Sequence, residues 1–370
     1  MTNDRRSFLL NATALSAAYG VPALGYAQSA SAREFNPQPG GWRTFEVTTR
    51  VDVQQAEGKT QVWLPVPSVD SDWQRSQGNG WSSNGNARMR SDAIYGARVL
   101  HVEFKPGETR PWVELTSRVQ TRNRAVDWSA HQTVAEDAAT LRFWTQPTRL
   151  LPTDGIVRST AQQITRGANT DLAKVRSIYD WVVANAFREP KVRGCGEGDI
   201  KTMLETGNLG GKCADLNALF VGLCRAAGVP ARDVYGLRLA PSAFGYKELG
   251  GNSASLKGAQ HCRAEVFLRG HGWVAMDPAD VSKVMRQETP EWIKSAGHPL
   301  VAPVNKALFG GWEGNWVAWN LAHDVRLPGA SEPQLGFLMY PVCETGDERL
   351  DSYTPDAFRY QITARELNAA

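Results

Sequence analysis

The stretch of sequence that decides the fold is LGGKCADLNALFVGLCRAAGVPAR, residues 209–232. Apolar residues recur in it at positions 216, 219, 220, 223, 224 and 227, a spacing that lines one face of an α-helix. Gly228 and Pro230 follow, and a glycine just past the last turn with a proline shortly after it is typical of a helix end. The pattern therefore predicts a buried helix over about residues 213–227.

Cys213 begins this predicted helix, three residues before Leu216 on the apolar face. Backbone N–H groups in a first turn have no partner within the helix, and they stabilise a thiolate, which lowers the pKa of the thiol. The N–H of Cys213 is also a candidate donor to an oxyanion. Gly210 and Gly211 leave space for another backbone or a substrate. Cys213 is therefore a candidate nucleophile, although many helix cysteines are inert core residues, which is the prediction for Cys224.

A cysteine nucleophile needs a proton acceptor, and His261 is the candidate. The sequence HCRAEVFL, residues 261–268, alternates polar and apolar residues and predicts a strand with His261 on its polar face. Residues 273–276 predict a second strand, with His271 in the turn of a hairpin. A histidine at the start of a strand is also common on plain surfaces, so the assignment depends on what lies beside it.

Asp277 is the candidate that would orient this histidine, since it closes the second strand before Pro278. An uninterrupted hairpin around His271 would put Asp277 opposite residue 264 or 265 rather than opposite His261. Contact between the two side chains then needs a bulge or a diagonal reach. Glu265 and Asp280 stay open as rival orienting carboxylates.

Periodicity divides the chain into regions of different structure. Strand-like alternation predicts an antiparallel β domain, with the polar residues 68–92 as a long excursion from its sheet. Helical spacing over 171–188 opens a second unit, in which the Gly/Ser-rich loop 241–258 is predicted to be a lid or binding loop. The predicted domains are 42–125 (β domain), 145–285 (core) and 286–370 (a Trp-rich extension packed on the core).

The first 32 residues predict an export signal. Arg5 and Arg6 precede Phe8, Leu9 and Leu10, which is the twin-arginine pattern, and a modestly apolar stretch leads to small residues at 27–32 where cleavage is expected. We therefore expect a periplasmic or otherwise exported protein with no integral membrane segment after cleavage. Twin-arginine export carries folded proteins, so the five cysteines are not required as disulfides for folding, and an odd number leaves at least one thiol unpaired.

Composition excludes several classes of protein. The 370 residues are 42% hydrophobic and 21% charged, which is too apolar for a disordered chain. The formal net charge of +3 gives no global basic field for nucleic acid, and no repeat of fixed period is present. No CxxC motif or His/Cys spacing typical of zinc occurs, so we expect neither a metal nor a cofactor. A site built from Cys195, Cys262 and His261 is the remaining metal alternative.

Four blocks of sequence together resemble the transglutaminase-like superfamily: GGKCAD at 210–215, LFVGLCRAAGVPAR at 219–232, HCRAEVF at 261–267 and GWVAMDP at 272–278. The resemblance implies an α+β fold, namely a papain-like transglutaminase core with the cysteine helix packed on an antiparallel sheet, preceded here by the antiparallel β domain. It implies Cys213 as nucleophile, His261 as general base and acid, and Asp277 as orienting carboxylate. Trp181 and Asn208 are candidates for a side-chain donor to the oxyanion hole. The chain departs from the family pattern at Arg263, where an aromatic residue is frequent, so an unusual acceptor pocket is expected.

The function implied is cysteine-dependent acyl transfer on peptide or isopeptide amide bonds of a peptide or protein substrate, through a thioester. Hydrolysis is favoured over cross-linking, because an exported enzyme meets water at high concentration and no residue pattern selects a lysine amine. The alternative is a catalytically inactive binding or assembly module of the cell envelope with the same fold.

Overall fold

A computed structural model describes residues 33–54, 56–130, 133–346, 348–353 and 358–367. The predicted signal over residues 1–32 lies outside the described residues. Within the described ranges, none of the helices combines the length and the apolar character needed to cross a membrane.

The described residues form strands distributed along the whole chain. In chain order they are β1 (Arg43–Val53), β2 (Thr60–Val66), β3 (Gln74–Ser83), β4 (Asn86–Ser91), β5 (Arg98–Glu103), β6 (Trp112–Thr121), β7 (Arg124–Ala125), β8 (Phe187–Arg188), β9 (Gly210–Gly211), β10 (Ala231–Arg238), β11 (Gln260–Leu268), β12 (Gly272–Met276), β13 (Gly311–Trp312), β14 (Trp316–Asn320), β15 (His323–Val325), β16 (Leu335–Phe337), β17 (Val342–Thr345), β18 (Glu348–Arg349) and β19 (Phe358–Leu367).

In chain order, the first five helices lie between β7 and β10, and the last two follow β12. They are α1 (Ala138–Phe143), α2 (Gly155–Ile164), α3 (Asp171–Asn185), α4 (Ile200–Thr206), α5 (Cys213–Ala226), α6 (Pro278–Gln287) and α7 (Ala302–Ala307). The predicted helix over 213–227 is thus confirmed as α5, and the helix predicted over 171–188 is α3, which the Thr170 hydroxyl caps by accepting from the N–H of Ala173.

Two antiparallel sheets form the β part of the protein. One has the order β19-β1-β6-β3 and the other the order β18-β17-β2-β5-β4. Residues of β1 alternate between buried and half-buried, and their buried side chains share one hydrophobic cluster with the side chains of β2 and β5. Alternate burial of this kind follows from the two-residue period of a strand and places one face of each sheet against the core.

A second four-stranded sheet, with the order β12-β11-β10-β14, carries helix α5 on β11 and β10. Every residue of β11 is buried, and α5 is buried almost throughout, because α2, α3, α4 and α6 pack around it. The predicted α+β class, with the cysteine helix on an antiparallel sheet, is confirmed.

The last third of the chain contributes strands to all of these sheets. Strand β14 pairs with β10 in the core sheet, while β17 pairs with β2 and β19 pairs with β1. The predicted domain boundaries stay predictions, but the pairing ties residues beyond 285 to both parts of the fold.

The prediction of a loop excursion over residues 68–92 is wrong. Residues Gln74–Ser83 and Asn86–Ser91 are strands, and they pair with β6 and β5. Both strands carry mostly exposed or half-buried side chains, so Ser, Asn and Gly fill them without any apolar alternation. Backbone hydrogen bonds to neighbouring strands hold these two strands in the sheets. Because those bonds do not depend on apolar side chains, the sequence shows no hydrophobic alternation there.

Candidate active site

Cys213 is the first residue of α5, and its side chain is only 4% exposed. The Asp215 carboxylate accepts hydrogen bonds from the backbone N–H of Lys212, Glu197 and Gly198, each at 2.9 Å. The Ala214 N–H donates to the Cys195 carbonyl oxygen at 2.9 Å. Asp215 and Ala214 therefore fasten the loop that carries Cys195 to the amino end of the cysteine helix.

The glycines before the cysteine make room for protein groups. A Cβ on Gly211 would lie 2.5 Å from the Cβ of Asp215, and one on Gly210 would lie 2.6 Å from the ring of Phe187. The expectation that this space admits a substrate is therefore corrected, because Asp215 and Phe187 occupy it. Gly196 has a φ of +91°, which is left-handed and favours glycine, so the loop can turn back onto α5.

The thiol of Cys213 is surrounded by hydrogen-bond partners that favour its ionised form. Cys195 lowers the pKa of Cys213 most, followed by Cys262, while burial opposes them; His261 adds a hydrogen bond and its charge, and the pKa stays well below that of an ordinary thiol. The pKa of Cys195 is raised by the hydrogen bond to Cys213 and by burial, so Cys195 keeps its proton. Burial alone raises the pKa of Cys224, which has no exposed surface and matches the predicted inert core thiol.

His261 meets two carboxylates behind the thiol. Its Nε2 donates to Asp277 Oδ2 at 2.7 Å and lies 3.3 Å from Asp280 Oδ2. Burial and the Arg238 charge lower the pKa of His261, but Asp280 and Asp277 outweigh them and raise it to about 9. Nε2 is engaged by these carboxylates, which leaves Nδ1 as the ring nitrogen available to the sulfur.

The register of the hairpin differs from the one expected. Leu268 pairs with Gly272 and Ala264 with Met276, so the next step along the strands brings Asp277 beside Arg263. The predicted position opposite residue 264 or 265 is therefore wrong. Asp277 reaches His261 diagonally, across two residues of the strand, without a bulge in this pairing.

Three side chains hold the carboxylates in place. Asn217, one turn after Cys213, donates to the Cys262 carbonyl oxygen at 2.8 Å and to Asp277 Oδ1 at 3.3 Å. Arg238 Nη2 lies 2.5 Å from Asp280 Oδ1, and Arg263 Nε lies 3.6 Å from Asp277 Oδ2. Two guanidinium groups and one imidazolium thus face two carboxylates and the ionised thiol of Cys213, so the charges of this buried cluster balance, as buried charges require.

The other residues singled out in the sequence lie elsewhere. Glu265 pairs with Arg124 and Arg232, so it is not the partner of His261. Arg263 is buried and lies over the rings of Trp312 and Trp316 at 5.2 and 4.7 Å, while the expected unusual acceptor pocket stays a prediction.

A cleft of about 660 Å³ opens over Cys213 and His261. The loop 241–258, predicted as a lid or binding loop, contributes to its wall through residues such as Asn252, Ser255 and Lys257. Neither Trp181 nor Asn208 is among the described residues that line the cleft, and the Asn208 side chain instead accepts from the Gly210 N–H at 3.2 Å.

One group among the described residues has the spacing to chelate a metal ion, namely His261, Asp277 and Asp280, whose ligand atoms lie within 4.8 Å of one another. Arg238 and Arg263 already contact these carboxylates and would repel a cation. The alternative set of Cys195, Cys262 and His261 does not meet this spacing within the described part of the chain.

Comparisons with known proteins agree with this geometry. The family description "Transglutaminase-like superfamily" matches residues 158–278, the segment that holds Cys213, His261 and Asp277. The chain belongs to the transglutaminase-like superfamily. This is a family of cysteine enzymes.

Two similar proteins cover almost the whole of this superfamily member. An uncharacterized protein of Haemophilus influenzae is 32% identical over 343 residues, which are 87% of this chain and 91% of the relative. The crystal structure of a protein from Cytophaga hutchinsonii, named "Putative Cysteine Protease", has a TM-score of 0.54 at 15% identity over 90% of this chain and 93% of its own. This likeness extends the shared fold beyond the core.

Sequence reasoning missed several residues of the site in this transglutaminase-like protein. Asn217 could have been found, because it lies four residues after Cys213 and so faces the same side of the helix. Tyr340 donates its hydroxyl to Cys195 Sγ at 2.9 Å, and Cys195 in turn approaches Cys213. Those contacts join distant segments of the chain, so no local sequence pattern predicts them.

Proposed function

We propose that this protein is an exported cysteine enzyme that cleaves peptide or isopeptide amide bonds through a thioester on Cys213. The observation that carries the proposal is the buried pair of Cys213 and His261, whose pKa values are shifted in opposite directions, with Asp277 at 2.7 Å behind the imidazole. A thiolate and an imidazolium side by side are the reactive state of a cysteine nucleophile.

The reaction follows from the arrangement of these groups. The thiolate attacks the amide carbonyl carbon, and the charge that develops on the oxygen is stabilised by the backbone N–H of Cys213 at the amino end of α5. His261 gives its proton to the amine nitrogen, the C–N bond breaks and the amine leaves. The neutral His261 then takes a proton from water, which attacks the thioester and releases the acid, so the thiolate and the imidazolium are both restored.

Hydrolysis is the proposed outcome, in preference to transfer to a lysine. The cleft is lined by basic side chains such as Lys212 and Arg188 and, among the described residues, by no Asp or Glu. A lysine ammonium would be repelled there, whereas water is not.

Export through the twin-arginine route is part of the proposal and rests on Arg5 and Arg6. Replacing both arginines by lysine should keep the protein in the cytoplasm, which cell fractionation measures. Unchanged export would contradict this part of the proposal and leave the chemistry untouched.

Alkylation with iodoacetamide tests the chemistry before a substrate is known. Cys213 should be labelled much faster than Cys224, which serves as an internal control, and His261→Ala should slow the labelling of Cys213. Equally slow labelling of both thiols would contradict the proposal. It would favour the alternative, an inactive binding or assembly module of the cell envelope.

A further inference from the structure

We propose that the cleft selects anionic acyl substrates, that is, acidic peptides with a free carboxylate close to the amide that is attacked, and that Arg188 and Lys212 bind this carboxylate. The inference rests on the proposed function, because it names the substrate class of the same site.

Apart from the Cys213 thiolate that we propose, the charges that line the cleft are all positive. Five basic side chains line it, and none of its described lining residues is an Asp or Glu: Arg188, Lys212, Arg238, Lys257 and Lys283. Two of these five charges are neutralised by carboxylates that do not line the cleft. Arg238 pairs with Asp280 at 2.5 Å, and Lys283 Nζ lies 3.3 Å from Glu248 Oε2. A one-signed cleft with low-dielectric walls concentrates ligands of the opposite charge.

Arg188, Lys212 and Lys257 are the lining cations without an acidic partner among the described residues, and Arg188 and Lys212 are the two that lie next to the strand leading into Cys213. No carboxylate of the described residues lies within 4.0 Å of either, and Arg188 Nε donates only to the neutral Gln287 side chain at 3.0 Å. The parallel pairing of β8 with β9 sets Arg188 beside Gly211, immediately before Lys212 and Cys213. Burial lowers the pKa of Lys212 most, and the nearby Arg188 charge lowers it further, so these two like charges repel each other.

An anion between these two cations would relieve that repulsion. Charge-assisted hydrogen bonds from a guanidinium or an ammonium to a carboxylate are the strong class of polar contact. Lys257 adds a third positive charge on the wall formed by the loop 241–258, where its Nζ lies 5.2 Å from the ring centre of Tyr360. Because the proposed thiolate attacks a carbonyl carbon, the anion must belong to an acyl compound, which favours an acidic peptide over a phosphate polymer.

A pair of alkylating reagents tests the charge preference without any substrate. Iodoacetamide is neutral, iodoacetate is anionic, and both alkylate the same sulfur. We expect the ratio of the iodoacetate rate to the iodoacetamide rate at Cys213 to exceed that of a free cysteine by at least about tenfold at low salt, and to fall with ionic strength. Lys212→Gln and Arg188→Gln should each lower the ratio by about threefold or more. Lys105→Gln, at an exposed lysine outside the cleft, should leave it unchanged.

Two failures of this test are distinguishable. Slow labelling of Cys213 by both reagents would overturn the proposed function. Fast labelling by both, with a ratio like that of free cysteine and unchanged by Lys212→Gln and Arg188→Gln, would overturn the charge preference alone.

Fluorogenic amides provide the second arm. Peptidyl coumarin amides with Glu or Asp next to the amide should have a kcat/KM at least about tenfold above their Gln or Asn counterparts, and Lys212→Gln should reduce that preference. Equal turnover of acidic and amide peptides, or inhibition by a phosphate polymer and not by an acidic peptide, would contradict the inference.

Discussion

Replacing Asp277 by asparagine is the perturbation that most sharply tests the thiolate–imidazolium pair. The pKa of His261 is raised from its ordinary 6.5 to about 9, which corresponds to about 3.4 kcal/mol of net stabilisation of the imidazolium. Asp277 and Asp280 supply it against burial and Arg238. If Asp277 accounts for about half of this net value, Asp277→Asn removes about 1.7 kcal/mol and lowers the equilibrium constant between the ion pair and the neutral pair about 20-fold.

The substitution is conservative for the fold. Asp277 Oδ1 caps α6 by accepting from the Asp280 N–H at 3.1 Å, and an asparagine oxygen can do the same. The new amide nitrogen would instead face His261 Nε2, where it favours a neutral imidazole that accepts a hydrogen bond. The pair with Cys213 is therefore weakened with little loss of structure.

The assay is the pH dependence of iodoacetamide labelling, read by mass spectrometry. At pH 6 a thiol with a pKa of about 8.5 is only about 0.3% ionised, so fast labelling there requires the shifted Cys213. We expect Asp277→Asn to slow labelling at pH 6, by up to about 20-fold, and to approach the wild-type rate at pH 10, where the thiol ionises without help. Asp180→Asn, at an exposed carboxylate on α3, is the matched control. A folded Asp277→Asn protein labelled at the wild-type rate at pH 6 would refute the reasoning.

Three further predictions follow from the same contacts. First, kcat/KM for an amide substrate should fall above about pH 9, because His261 loses its proton there. On the acid side, activity should continue to a pH well below the pKa of an ordinary thiol, because the pKa of Cys213 is lowered. A pH–rate profile in which activity already falls above about pH 6.5 would contradict this prediction. Second, Asn217→Ala removes the donor to Asp277 Oδ1 and should lower kcat about tenfold with little change in KM, whereas a change in KM alone would assign Asn217 to binding. Third, burial raises the pKa of Asp233 to about 7, above its unfolded value of about 3.9, so the folded state holds this proton and the associated stability is full below pH 4 and lost as the pH rises to 7. Asp233→Asn removes this pH-dependent loss. The change that it makes in the free energy of unfolding should therefore be more favourable at pH 8 than at pH 4, by up to about 4 kcal/mol. Urea denaturation that gives the same change at both pH values would contradict this prediction.

Local patterns predicted the elements that carry the site, and longer-range packing decided the rest. The helix that begins at Cys213 could be predicted, because the spacing of its apolar residues is a local property of the sequence of α5. The contact of His261 with Asp277 could not be predicted in the same way, because it depends on the three-residue turn after Leu268, which sets the register of the hairpin. A change of one residue in that turn redirects every side chain that follows.

Contacts between distant segments left no trace in the sequence. Cys195 reaches Cys213 because Asp215 binds the loop at Glu197 and Gly198, and Tyr340 reaches Cys195 from beyond the core. The family match and the fold confirm the predicted class, while the catalytic roles of Cys213, His261 and Asp277 stay predictions.

Detection of an acyl-enzyme tests the central proposal most directly. The full chain is incubated with a cell-wall or peptide extract, quenched in acid, digested and analysed by mass spectrometry. We predict a mass increase on the peptide that carries Cys213, labile to hydroxylamine as a thioester is, and absent in Cys213→Ser under the same conditions. Amide cleavage by the purified protein that continues in Cys213→Ser, with no adduct on Cys213 in the wild type, would contradict the proposal.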